Sequence, residues 1–298
     1  MNEGDYHYAI HNVFYDNANV QCDAQASGWS AWEEHPIPGY TPTADDMTNP
    51  NPLLGPTWQV GSSFFHVVVE YNVAYNNAVT QCAYDTDGNG IIFDTNAGFY
   101  GNPTNYTAPM LAAFNVTYNN GGVGVHIFGS SNITVANNSC YNNNLDTANS
   151  GTFRACIDDN NGGTNTFINN IAQGIPTTTS NCNSGPITAW NDAYLGSPAG
   201  AADTFSNNIA DDIGSSCAGL TFMQNGDVFD SPPNLANVSP GWVNVGTSSV
   251  GTETTPPVGT NFALAPGSAA IGKGLTAPYL PASSVDIGAC ASALTTCP

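Results

Sequence analysis

One short phrase recurs along this chain: Asn, two residues that are usually apolar or Thr, an aromatic or apolar residue, then Asn-Asn or Asp-Asn. It reads Asn12-Val-Phe-Tyr-Asp-Asn17, Asn72-Val-Ala-Tyr-Asn-Asn77, Asn115-Val-Thr-Tyr-Asn-Asn120, Asn138-Ser-Cys-Tyr-Asn-Asn143 and Asn165-Thr-Phe-Ile-Asn-Asn170. A looser copy is Thr204-Phe-Ser-Asn-Asn208. Recurrence at irregular intervals of a few tens of residues marks a stacked architecture. Each copy reads as one short strand with alternating faces, ended by a residue that tolerates a left-handed turn. Asn at matching turns can stack on its neighbours and satisfy backbone groups that the bend leaves unpaired. The expectation is a coil of β-strands.

Composition narrows this further. The 298 residues include 31 Gly, and no long apolar stripe of helical period or membrane-length apolar run interrupts them. Two basic residues, Arg154 and Lys273, face 23 acidic ones for a formal charge of −21. Such a surface repels nucleic acid and anionic lipid, so neither is an expected partner. It also offers almost no trypsin-type cleavage sites, which suits an acidic or protease-rich exterior, with high salt as the alternative. Eight cysteines without a CxxC pair point to disulfides in an oxidising compartment rather than to zinc. Sequence leaves the pairing open; neighbouring pairs fit, with Cys290–Cys297 closing the tail and Cys140–Cys156 joining adjacent coils. The chain opens without a charged and apolar leader. The expectation is a secreted protein whose signal has been removed, or an excised portion of a longer chain.

The whole chain, 1–298, reads as one domain. Residues 26–60, rich in Pro and Trp, read as a loop excursion, and 61–210 as the regular coils. Residues 211–298 read as a loop-rich end with a closure over the last coil. The Asn-x-x-Tyr-Asn-Asn turns, together with Asn119-Asn-Gly-Gly-Val-Gly-Val-His-Ile127 and Ala265-Pro-Gly-Ser-Ala-Ala-Ile-Gly272, resemble secreted right-handed parallel β-helix proteins of the pectate-lyase-like superfamily. Residues 268–271 and Asp286-Ile-Gly-Ala289 nearly match the final segment of that group. The resemblance covers about 61–290. It implies an all-β, right-handed parallel β-helix and a polysaccharide as partner. It does not choose among the lyases, hydrolases, epimerases and adhesins that share the fold.

In such a helix, residues of one column lie ~4.8 Å apart on successive coils. Anchoring on Asn132-Ile-Thr and Asn165-Thr-Phe aligns Gly124–Phe128 with Cys156–Asn160. His126 then shares a column with Asp158 and Ile92, with Asp94 a step along. His126 is a candidate general base or acid. Arg154, beside Asp158 and Asp159, is a candidate for bidentate recognition of a uronate carboxylate, or for an internal salt bridge. Alternating oxygens at Asp85, Asp87 and Asn89, with Asp94 nearby, suit Ca2+; a tight turn with solvated carboxylates fits equally. Trp29, Trp32, Glu33 and Glu34 are candidates for sugar stacking and binding, or for a packed Trp flap.

Three functions follow as expectations. Glycan cleavage by β-elimination stands slightly ahead. Here Arg154 or calcium neutralises a uronate while His126 or a Tyr abstracts the proton. An inverting hydrolase using Asp94 with Asp158 or Asp159 is the alternative. A non-catalytic adhesin or filament subunit, associating end to end through open strand edges, is the third.

Overall fold

The structure, a computed structural model, describes residues 7–17, 27–32, 34, 59–60, 63–78, 87–96, 106–145, 155–160, 162–174, 187–190, 203–212, 220–221, 228–229, 235–236, 262–277, 279–280 and 286–290. Among these no helix occurs, and the strands follow one another coil by coil. The first coil is β1 (Tyr8–Ile10), β2 (Val13–Tyr15) and β3 (Trp29–Trp32). A two-stranded antiparallel hairpin, β4 (Gln59–Val60) and β5 (Ser63–Phe64), precedes the second. The second and third coils are β6 (Val67–Glu70), β7 (Val73–Tyr75), β8 (Ile91–Asp94) and β9 (Met110–Ala113), β10 (Val116–Tyr118), β11 (Val125–Phe128). The fourth and fifth are β12 (Ile133–Ala136), β13 (Ser139–Tyr141), β14 (Ile157–Asn160) and β15 (Thr166–Ile168), β16 (Ile171–Gly174), β17 (Ile187–Trp190). The last strands are β18 (Thr204–Ser206), β19 (Ile209–Asp212), β20 (Leu220–Thr221), β21 (Val228–Phe229) and β22 (Leu235–Ala236).

Every third strand pairs in parallel with its counterpart on the next coil. The result is three sheets: β1-β6-β9-β12-β15-β18-β21, β2-β7-β10-β13-β16-β19-β22 and β3-β8-β11-β14-β17-β20. This is a right-handed parallel β-helix. Trp29–Trp32, inside the expected excursion, is a full strand of the third sheet.

Each copy of the repeated phrase now has a physical content. Asn72 sits in the bend between first and second sheets, Tyr75 faces outward, Asn76 is left-handed at φ 56 and Asn77 opens the next bend. The side-chain oxygen of each bend Asn accepts from the backbone and amide of the Asn one coil earlier. Asn12, Asn72, Asn115, Asn138, Asn170 and Asn208 are joined in this way. The amide of each later Asn also donates to a strand carbonyl, as Asn115 does to Val69 at 2.8 Å. A second ladder runs Asn17, Asn77, Asn120, Asn143. The copies at 165–170 and 204–208 belong one strand earlier: there the closing Asn170 and Asn208 join the first ladder. One local rule therefore serves two corners.

The left-handed position before the first ladder is occupied by His11, Tyr71 and Phe114 as well as by Asn137, Asn169 and Asn207. Left-handed backbone costs an aromatic residue ~1–2 kcal/mol. The rings offset this by stacking, His11 on Tyr71 at 5.1 Å and Tyr71 on Phe114 at 4.9 Å, a geometry worth ~0.5–1.5 kcal/mol beyond the area buried. Inside the helix, Val69, Ala112, Val135, Phe167 and Phe205 fill one column and Ile91, Val125 and Ile157 another. Cys140 of β13 and Cys156, just ahead of β14, form a disulfide with a Cα–Cα distance of 5.7 Å. It closes the fourth coil on itself rather than joining two coils. Cys290 is also disulfide-bonded.

The stretch 262–290 was expected to close over the last coil. Its described residues run instead along the flank. Leu275, Ala277, Tyr279 and Leu280 pack on the outside of the first sheet against Val68, Leu111, Ala136 and Ile168. Phe262, Leu264, Ala270 and Ile287 cover the outside of the second against Tyr118, Tyr141, Ile171 and Ile209. This strap is fixed at the bend between those sheets. The Asn137 amide donates to the Asp286 carbonyl at 2.9 Å, Gly288 N–H to the Asn169 carbonyl at 2.8 Å, and Asn169 exchanges two bonds with Leu275. The physical reason is apolar: outward positions of the first two sheets carry Val, Leu, Ile and Tyr, which need a cover.

Candidate functional site

The strap covers two outer faces. The third sheet's outer face differs in kind. Alternation along its strands sends Trp29, Ile91, Val125 and Ile157 inward, and therefore the intervening residues outward. One outward column is Ser30, Ile92, His126, Asp158; the next is Trp32, Asp94, Phe128, Asn160.

His126 Nδ1 lies 3.0 Å from Asp158 Oδ2, with the imidazole 8% and the carboxylate 0% exposed. Burial lowers the basicity of His126. The hydrogen bond to Asp158 and the charges of Asp158, Asp87 and Asp94 act the other way and prevail, so its pKa is raised. Three carboxylates thus act on one imidazole. With Nδ1 held by Asp158, Nε2 is the nitrogen left to exchange a proton with a ligand. Phe128 packs against the imidazole, ring centres 5.9 Å apart.

The expected register, His126 with Asp158 and Ile92, is the observed one. Asp94 is the Cα partner of Phe128, two residues along, and so faces the same side as His126. Asp159 does not. It follows Asp158 on the strand and turns inward, where it accepts from Asn165 Nδ2 at 2.6 Å and Gly162 N–H at 3.0 Å. Its carboxylate fastens a bend. Trp29 also faces the core, edge-on to Phe93, whereas Trp32 is on the outward column. Glu34 is fully buried, 3.3 Å from His7 Nε2, with its backbone N–H bonded to Asn96. Arg154, Glu33 and Asp85 lie outside the described residues.

Of the calcium candidates, Asn89 is engaged in the fold. Its oxygen accepts from Val123 N–H at 2.8 Å and its amide faces Asp87 and Ser27. Among the described residues, no group of three or more His, Cys, Asp or Glu side chains is placed to hold a metal ion. Phe128 and Asn160 were missed by the sequence reading. The alignment that found His126 and Asp158 contained both, two residues further along the same strands.

No family model matches the chain, and no curated protein or solved structure does so either.

Proposed function

We propose that this chain is an extracellular glycan-cleaving enzyme of pectate-lyase-like build, acting on the outer face of the third sheet. The observation that carries the proposal is the buried His126–Asp158 pair, held at 3.0 Å on the outer face that no described part of the strap covers. A histidine held by a carboxylate through one nitrogen, leaving the other for a ligand, is a proton-transfer device.

Hydrolysis of a neutral glycan fits the surroundings better than β-elimination. Asp87, Asp94 and Asp158 make the vicinity of His126 anionic, which disfavours a uronate substrate. His126 and Asp94 are diagonal neighbours, one coil and two residues apart. Ladder spacing puts their Cα atoms ~8 Å apart, enough for a scissile oxygen and one water between acid and base. Protonated His126 gives its Nε2 proton to the leaving oxygen, and Asp94 takes a proton from the attacking water. Asp158 holds the ring and its charge. The reaction needs no calcium. The disulfides fit an oxidising exterior.

The β-elimination reading keeps one observation in its favour: an imidazole of raised basicity is a competent base. Incubation with neutral glucans, mannans, pectin and alginate separates the two. New reducing ends from a neutral glycan, without absorbance from unsaturated ends, are expected. His126→Asn is expected to slow the reaction ~10²–10⁴-fold. Unsaturated ends from pectin or alginate would favour elimination, and full activity in His126→Asn would sink both.

A further inference from the structure

The column beside the dyad has a pattern of its own. Trp32, Asp94, Phe128 and Asn160 are Cα partners on four successive coils, so aromatic and polar residues alternate; Trp190 holds the next register position. With coils ~4.8 Å apart, Trp32 and Phe128 stand ~10 Å apart along the axis. Trp32, Asp94 and Phe128 are partly exposed.

Asn160 adds an independent observation. It is 1% exposed, and neither its amide nitrogen nor its oxygen has a hydrogen-bond partner. Buried amides are normally satisfied, as the ladder asparagines of this chain are, and an exception calls for a ligand or a specific role. Asn160 faces outward from a strand instead of sitting in a bend, so no ladder neighbour can satisfy it.

On the glycan reading above, we infer that this column is a binding track for an extended, neutral, equatorially linked glycan lying along the helix axis, with Asn160 reading the hydroxyls of one sugar. A hexose in such a chain is about as long as the coil spacing of ~4.8 Å. Successive units flip, so the same flat face returns at every second unit, and Trp32 and Phe128 recur at every second coil. Between them, Asp94 and Asn160 meet sugar edges. An amide with donor and acceptor both unpaired suits a pair of hydroxyls. The anionic surroundings of Asp94 and Asp158 exclude a uronate from these positions.

The test uses the His126→Asn protein, whose slowed cleavage lets binding be read, titrated calorimetrically with linear β-1,4-linked neutral oligosaccharides of two to six units and with polygalacturonate fragments. Affinity for the neutral series is expected to rise steeply to about four units, one for each coil of the track. Asn160→Leu in that background is expected to weaken binding about tenfold while raising the melting temperature, because an unsatisfied amide leaves the interior. Trp32→Ala is expected to weaken binding about tenfold as well. Affinity independent of length, uronates bound as tightly, or Asn160→Leu lowering the melting temperature with affinity unchanged would each overturn the track. Length-dependent binding without turnover by the wild-type chain sinks the hydrolase and leaves the track standing. Turnover with length-independent binding does the reverse.

Discussion

The imidazole of His126 is pulled in two directions, by burial against its charged form and by three carboxylates in favour of it. The carboxylates prevail, and the sign of the consequence is fixed. A histidine raised in the folded state contributes stability in full below its unfolded value of ~6.5, and that contribution is lost as pH rises through the higher folded value. Asp158→Asn removes the hydrogen-bonded charge and leaves burial dominant. Its midpoint by NMR titration should then fall below that of the wild type. The melting-temperature gap between the two proteins should be widest near pH 5–6 and narrow above neutrality. A gap that widens with pH would contradict this account. The same scale explains Asp159. Adjacent residues on a strand cannot share a face, so a Asp158–Asp159 pair in one groove was excluded by alternation alone. Asp158 went outward because Ile157, between Val125 and Ile187 in register, fixed the inner column.

At the scale of the element, the bend carries more of the fold than the strand. Strands of three or four residues hold few ladder bonds, and the Asn columns supply the rest. Asn115→Ala removes the oxygen that accepts from both the backbone and the amide of Asn72, each at 3.0 Å. A buried N–H left without a partner costs ~1–3 kcal/mol. Urea denaturation should show a loss of about 3 kcal/mol once the broken amide bonds are included. Asn115→Asp should be no rescue, since it keeps the acceptor but loses the donor to Val69 and Asn138. The Cys140–Cys156 bond encloses a short loop, with a sequence separation of 16. Replacing both by Ser should cost ~3 kcal/mol in the same measurement, and an unchanged midpoint would show that the core alone closes this coil. Much of this level was legible beforehand. The Asn-x-x-Tyr-Asn-Asn phrase encodes ladder, outward ring, left-handed residue and ladder in order, so coil register followed from it. What it hid was phase: Asn165–Asn170 obeys the same rule one corner earlier, because any bend needing a left-handed residue and a stacking amide selects the same letters.

For the whole molecule, three outer faces have two fates. Two are apolar and are covered by the strap, while the third keeps polar and titratable residues. The direction of the strap was not legible. Residues 262–290 have no period of their own, and their places are set by partners some 150 positions away, such as Asn137 for Asp286 and Ser139 for Ala289. At Gly288 the strap lies tight against the second sheet. The glycine's φ is 97, and a Cβ there would stand 2.6 Å from Ile171 Cδ1 and 2.9 Å from Ser139 Oγ. Gly288→Val should therefore lift the strap, cost more than ~2 kcal/mol and increase binding of an apolar dye. An unaltered dye signal would mean that the strap tolerates a new register at this bend.

That same strap also orders events in time. Neighbouring coils are linked by ladder bonds between residues 23 to 60 positions apart, so they can zip up while the ribosome is still at work. The strap's bonds to the coils reach back between 66 and 151 positions, and contacts that distant form late. Until residues 262–290 emerge, the outer faces of two sheets stay bare and sticky, as exposed apolar surface on a folding intermediate does. An interrupted chain would present that surface to any chaperone or protease that patrols for it, and a finished one would hide it at a stroke.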